Sequence, residues 1–217
     1  MKNIIVIALC LVSMMESNAQ SRFGATVGGG IITARTESVY IGNVSDYATH
    51  EVKFKGATPV INAGLTYQNK IGWMFMQPSI LYSQYSLDYE VEAFQQAIAG
   101  VTSATENYKY IDIHATAGIH SGNFRLGFGP VFHILAGFDS GLEGVPTYKE
   151  NQSVWTTGFS GSVGYDFYPL SIDVKYEGAF KSFGDHIFFN HAKSRLRGGP
   201  DQLSLAITYT IPYNEYY

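Results

Sequence analysis

Residues 124–138, FRLGFGPVFHILAGF, place an apolar or ring side chain at every even position: Phe124, Leu126, Phe128, Pro130, Phe132, Ile134, Ala136 and Phe138. Arg125, Gly127, Gly129, Val131, His133 and Gly137 fall between them. Period-two alternation is the signature of a strand with two different faces. The preceding run, 108–120, alternates in the same way, and Gly122-Asn123 between them suits a two-residue type II′ hairpin turn. That turn sets Ile119 against Leu126, Ala117 against Phe128, Ala115 against Pro130, Ile113 against Phe132 and Ile111 against Ile134. Apolar then meets apolar, while on the other face His120 meets Arg125 and Asp112 meets His133. A slip of one residue scrambles both faces.

The same alternation recurs at 23–34, 57–67, 73–89, 155–167, 170–180 and 202–211, so eight strands are expected. Short connections near 68–72, 121–123 and 168–169 alternate with long ones at 35–56, 90–107, 139–153 and 181–200. An even strand number with alternating turn lengths is how outer-membrane barrels are built, tight turns on the periplasmic side and long loops outside. A soluble, lipocalin-like barrel also alternates, but its polar face meets water and carries Lys and Glu. Here that face is mostly Gly, Ser and Thr, which suits a narrow lumen with room for little else. The apolar face therefore meets hydrocarbon, and the sheet has to close, because an open edge in lipid leaves backbone groups unpaired. The predicted fold is all-β: an eight-stranded antiparallel up-and-down transmembrane barrel.

Composition points the same way. Charged residues are 15% of the chain, against about 25% in an ordinary soluble domain. Lys plus Arg is 14 and Asp plus Glu 18, a net charge of −4 without a basic patch, which excludes nucleic acid as a partner. The opening MKNIIVIALCLVSMMESNAQ has the layout of a secretory signal peptide, with cleavage expected after Ala19. Residues 1–19 are thus assigned as signal peptide and 20–217 as one barrel domain. Cys10, the sole cysteine, falls in the removed segment, so no disulfide or cysteine-bound metal is expected.

The run YIDIHATAGIHSGNFRLGFGPVFHILAG, together with MQPSILYSQ upstream and GYDFYPLSIDVKYEGAF downstream, resembles the PorT-like outer-membrane β-barrel family. Two positions depart from that family's pattern: His114 stands where Pro is common, and Lys175 where Arg is usual. The resemblance implies an outer-membrane location and barrel fold. Because the family includes a secretion-system component, it also implies a role as secretion accessory as an alternative.

Asp112, His114, Arg125, His133, Asp166, Asp173, Lys175 and Glu177 all fall on the inward face and form an expected lumen polar network. Charges inside a barrel persist when paired or wet, so Arg125 is expected to pair with Asp166, and Lys175 with Asp173 or Glu177. A salt-bridged plug is favoured over a gated path, because a lumen of eight strands is filled by its own side chains. His114, His120 and His133 share the inward face of one hairpin with Asp112, yet the register separates His120 from His133 along the strands. Neither they nor His186 and His191 match a metal motif, and no cofactor is expected. For a lipid-A-modifying enzyme, the distant alternative, the nearest nucleophile is Ser140 beside Asp139 with His133 or His186, but no nucleophile motif accompanies it.

Lys181, Lys193, Arg195 and Arg197 in the last long loop are candidates for contacts with lipopolysaccharide phosphates. Residues 92–100, EAFQQAIAG, suit a short helical turn ending at Gly100. The glycines of 24–30 are lumen small residues rather than a phosphate cradle, since no helix follows. The alternating end, LSLAITYTIPY, looks like a signal for the outer-membrane assembly machinery. The expected function is a structural or interaction role in the envelope through the outer loops, without catalysis. The expected partners are outer-membrane lipid and lipopolysaccharide, the assembly machinery during insertion, and secretion-system proteins in the alternative reading.

Overall fold

The computed structural model describes residues 20–33, 39–42, 48–93, 101–144, 149–150, 153–180, 187–189, 192–194 and 201–211. The expected signal peptide, residues 94–100 of the helical turn expected at 92–100 and the chain end after 211 lie outside these, while Glu92 and Ala93 end a strand rather than begin that turn. Among the described residues thirteen strands are present: β1 (Gln20–Thr33), β2 (Val39–Gly42), β3 (Ala48–Ala57), β4 (Val60–Ile71), β5 (Met74–Ala93), β6 (Val101–Ser121), β7 (Phe124–Ser140), β8 (Lys149–Glu150), β9 (Trp155–Phe167), β10 (Leu170–Ala179), β11 (Ile187–Phe189), β12 (Ala192–Ser194) and β13 (Asp201–Thr210). Eight of them close on one another in the order β5-β4-β1-β13-β10-β9-β7-β6, with β6 returning to pair β5. Every neighbouring pair is antiparallel. The remaining five strands lie at the long-loop end. β3 adds to β5 and β2 to β3, while β8, β11 and β12 form a small separate sheet.

The hairpin β6–β7 has the register read from its alternation: Ile119 opposite Leu126, Ala117 opposite Phe128, Ile113 opposite Phe132, Asp112 opposite His133 and His120 opposite Arg125. Its turn places Gly122 at φ +57°, and Gly72 repeats this at φ +60° in the β4–β5 turn. A Cβ at positive φ costs about 1–2 kcal/mol. Gly122→Ala is therefore expected to destabilise the protein by that amount in urea unfolding in detergent, without altering the folded barrel's gel mobility.

Two sequence readings need correction. The alternation does not run unbroken through Phe138, because the pairing shifts between Lys109 and Tyr110 and leaves Ala136 as the extra residue. A bulge inverts the facing of the residues beyond it, so Phe138 turns inward and tilts against Tyr108 at 5.0 Å between ring centroids. The spans expected as long loops at 35–56 and 90–107 also contain strands. β3 runs Ala48–Ala57, so residue 57 ends β3 and the barrel strand β4 starts at Val60. β5 continues to Ala93, and β6 begins at Val101.

These extensions reveal a reversal of polarity along single strands. On β5 the outward residues are Met74, Met76, Pro78, Ile80 and Tyr82, followed by Gln84, Ser86, Asp88, Glu90 and Glu92. The inward residues change at the same height, from a mixed set, Phe75, Gln77, Ser79, Leu81 and Ser83, to the wholly apolar and aromatic Tyr85, Leu87, Tyr89 and Val91. β6 matches it: outward Ile111 to Ile119 lie below Lys109, Asn107, Thr105 and Ser103, and inward Asp112 and His114 lie below Tyr110, Tyr108, Glu106 and Ala104, of which Glu106 is the one charged residue. Near the short turns the barrel is thus apolar outside and mainly polar inside, with Phe75 and Leu81 among the lumen residues; beyond residues 84 and 109 it is a water-type fold with an apolar core. The outward apolar band is about ten residues tall on each strand, which at about 3.3 Å per residue and a tilt near 40° gives about 25 Å, the height of an outer-membrane hydrocarbon layer. Trp155, Phe180, Tyr82, Trp73, Phe167 and Tyr168 are exposed at its two rims, where amphipathic rings favour the membrane–water boundary.

Candidate functional site

The lumen at band level is filled from the short-turn end upward. Thr26 on β1 hydrogen-bonds Thr66 of β4 at 2.7 Å and Thr208 of β13 at 2.8 Å, a belt of hydroxyls small enough to sit between facing strands. Across from it Arg125 reaches inward from β7 and is 2% exposed. Its Nη2 donates to both oxygens of Asp173 at 3.0 and 3.1 Å, and its Nη1 donates to Gln77 Oε1. Its Nε lies 2.9 Å from Asp166 Oδ1, an ion-pair contact off the hydrogen-bond line. The guanidinium carbon sits 5.6 Å from the Phe75 ring centroid. Asp166 also receives Lys70 Nζ at 2.6 Å and Ser171 Oγ at 2.8 Å. Gly164 makes room for this cluster, because a Cβ there would run into Asp173 Oδ1 and come within 3.1 Å of Arg125.

Above this lies a second group. Asp112 accepts from Ser83 Oγ and bonds His133 Nδ1 at 2.7 Å. Glu177 on β10 faces His114 Nδ1 at 3.8 Å, longer than a hydrogen bond. Lys175 is buried on the same inward wall, but it is ion-paired with neither Asp173 nor Glu177. Arg125 takes Asp173 instead, because its planar fork can meet two carboxylates at once. Lys70 and Gln77 belong to the network as well, although the sequence pattern alone did not single them out. Lys70 shares its strand face with Thr66 and Gln68, and Gln77 with Ser79, so the period-two signal was there to find them.

Over the polar lumen sits an aromatic and apolar layer. Tyr85 and Tyr108 stack at 5.3 Å, and Tyr108 and Tyr110 at 6.1 Å. They belong to one cluster with Val52, Val60, Leu87, Tyr89, Val91, Ala104 and Leu142. Glu106 is wholly buried within it and accepts from Tyr108 Oη at 2.8 Å and Ser140 Oγ at 3.2 Å, while Leu142 N donates to Ser140 Oγ at 3.1 Å. Burial, and then the Glu106 carboxylate alongside, hold the Tyr108 hydroxyl well above the ordinary tyrosine range, so it remains a donor. A pocket at the polar end, beside Arg22, Gln68 and Arg125, holds about 10 Å³, close to the room a single water takes.

Among the described residues the arrangement sets no histidine against a serine hydroxyl. Ser83 and His133 both bond the same carboxylate, whereas nucleophilic activation requires the imidazole against the hydroxyl. Ser140 is tied to Glu106 rather than to a histidine, and His186 lies outside the described residues. Among the described residues no group of three or more His, Cys, Asp or Glu side chains is placed to hold a metal ion. Of the residues expected to meet lipopolysaccharide, Lys181, Arg195 and Arg197 lie outside the described residues, and Lys193 is described only as backbone in β12.

Fold and lumen together define a closed eight-stranded antiparallel barrel with an outward apolar band and a packed interior. The chain matches no protein-family model and no curated protein sequence. Among solved structures it aligns with one described as "NanC porin structure in rhombohedral crystal form", at 10% identity and a TM-score of 0.29, over 87% of this chain and 100% of that one. At that level of similarity the strand pairing above, rather than the alignment, carries the fold.

Proposed function

We propose that this protein is a non-conducting, non-enzymatic barrel of the outer membrane that carries a folded platform above the bilayer and acts through it as a structural or interaction module. The observation that supports this most is the polarity reversal on β5 and β6. A barrel that merely spans needs strands of about ten residues, whereas β5 has 20 and β6 has 21. The surplus length builds an apolar core of its own, with Lys53, Lys55, Glu90 and Glu92 on its water side. The ion-paired side chains below it and the stacked tyrosines within it support a lumen that passes no solute.

In planar bilayers the purified protein is therefore expected to give no conductance steps in monovalent salt, and stepwise currents would refute the plug. For the interaction role, the test is co-purification after mild detergent extraction, with the platform strand β3 altered by Phe54→Asp as comparison. Phe54 packs against the platform core and stacks edge-on with Tyr89 at 5.9 Å. A partner captured by the wild type and lost in the variant supports the reading. The alternative, an accessory role in PorT-type secretion, draws its support from the sequence resemblance across residues 110–137 and predicts that the captured partner is a stoichiometric secretion component.

A further inference from the structure

The lipid-facing wall is not uniformly bulky. An apolar groove of about 660 Å³ winds obliquely across β6, β7, β9, β10 and β13, its sides formed by Ile119, Phe128, Val174 and Leu203 and its floor by Ala117 and Gly161. Gly161 is the informative residue. At Gly64, Gly118 and Gly129 a Cβ would collide with backbone of the neighbouring strand, so sheet geometry explains those glycines. At Gly161 the nearest atom to a Cβ is Phe128 Cδ2 at 4.0 Å, ordinary contact distance, and its backbone has no positive φ. Nothing in the fold forbids a large side chain at a position whose neighbours along the strand on the same face are Phe159 and Val163. Leaving it empty keeps the groove open.

We infer that this groove seats one acyl chain of a glycerophospholipid from the leaflet on the short-turn side. This rests on the membrane placement proposed above. The groove opens at Ile119 and Leu126, next to the Gly122-Asn123 turn, and climbs to Leu203 near the far end of β13, so its occupant enters from the leaflet on the short-turn side. Four steps between neighbouring strands at about 4.8 Å give a path of about 19 Å, comparable to an extended fatty acyl chain. The path curves round a convex wall, which a flexible chain can follow. A second copy of the barrel fits badly for two reasons. Two convex walls touch along a narrow strip, whereas a stable interface takes roughly 800 Å² per partner, and a two-fold axis through the groove would set it against itself, so two grooves would enclose a void. An acyl chain instead fills the space with methylenes and recovers contacts that an empty groove forfeits.

The test uses the full chain in a mild non-ionic detergent, titrated with phosphatidylethanolamine and read by native mass spectrometry. Wild type is expected to retain one lipid per barrel. Gly161→Leu, whose Cβ meets no backbone and whose side chain takes up floor space, is expected to weaken retention about tenfold, equivalent to about 1.4 kcal/mol. Ala63→Leu, on the outward face of β4 away from the groove, is expected to leave retention unchanged. Equal retention in Gly161→Leu, no retention by wild type, or a dimer mass that Gly161→Leu abolishes would each overturn the proposal. All three proteins are expected to migrate faster unboiled than boiled. If wild type does not, the membrane reading itself fails and the groove with it, whereas heat-modifiable proteins without lipid refute the groove alone.

Discussion

Arg125→Met is expected to destabilise the barrel by about 3–5 kcal/mol, the usual cost of leaving buried charges without their partner. The side chain is 2% exposed and joins three other strands: Asp173 on β10, Asp166 on β9 and Gln77 on β5. Without it Asp173 loses both of its charge-assisted bonds, while Asp166 keeps Lys70 and Ser171. Methionine has nearly the volume but no donor. Urea titration of the protein refolded in micelles, followed by the fraction of fast-migrating unboiled protein, measures the loss. Adding Asp173→Asn is expected to recover part of it, because the orphaned charge is then removed. A loss below about 1 kcal/mol, the scale of solvated pairs, would mean that water reaches the cluster and that the lumen is not a plug.

The second large effect is position-dependent along one strand. Ile80 and Gln84 both point outward from β5, on either side of Tyr82, and both are exposed. Ile80→Arg places a charge within the hydrocarbon band and is expected to cost about 2–4 kcal/mol, whereas Gln84→Arg lies at its edge and is expected to cost about 0–1 kcal/mol. The same refolding titration in lipid vesicles reads both. Equal costs would remove the boundary drawn between residues 82 and 84. A small cost for Ile80→Arg alone would argue that the outward apolar face does not meet lipid.

Legibility in the sequence differed from element to element. The β6–β7 hairpin could be read because a two-residue turn and two alternating runs leave only one register that satisfies both faces. The pair Arg125–Asp166 was readable as well, since both residues lie two or three positions from short turns on strands expected to be neighbours. Asp173 as the main partner of Arg125 was not, because it approaches from two strands away and depends on how sharply the wall curves. Lys70 reaches Asp166 from across the lumen, which no local pattern encodes. The bulge at Ala136 was equally hidden: an extra residue leaves composition and alternation nearly intact and shows only when the partner strand is laid beside it.

By itself the sequence determined the strand count of the barrel, its tight turns, the closure of the sheet, and which residues share a face. These derive from period-two alternation and from the cost of unpaired backbone in an apolar medium, both local properties of the chain. Only the tertiary structure decided where along each strand the surroundings change, which charges meet inside, and that the upper halves of β5 and β6 enclose a second core. Alternation reports that two faces differ, but not which medium each face meets at a given height; that depends on what the closed wall and the strands added to it place opposite.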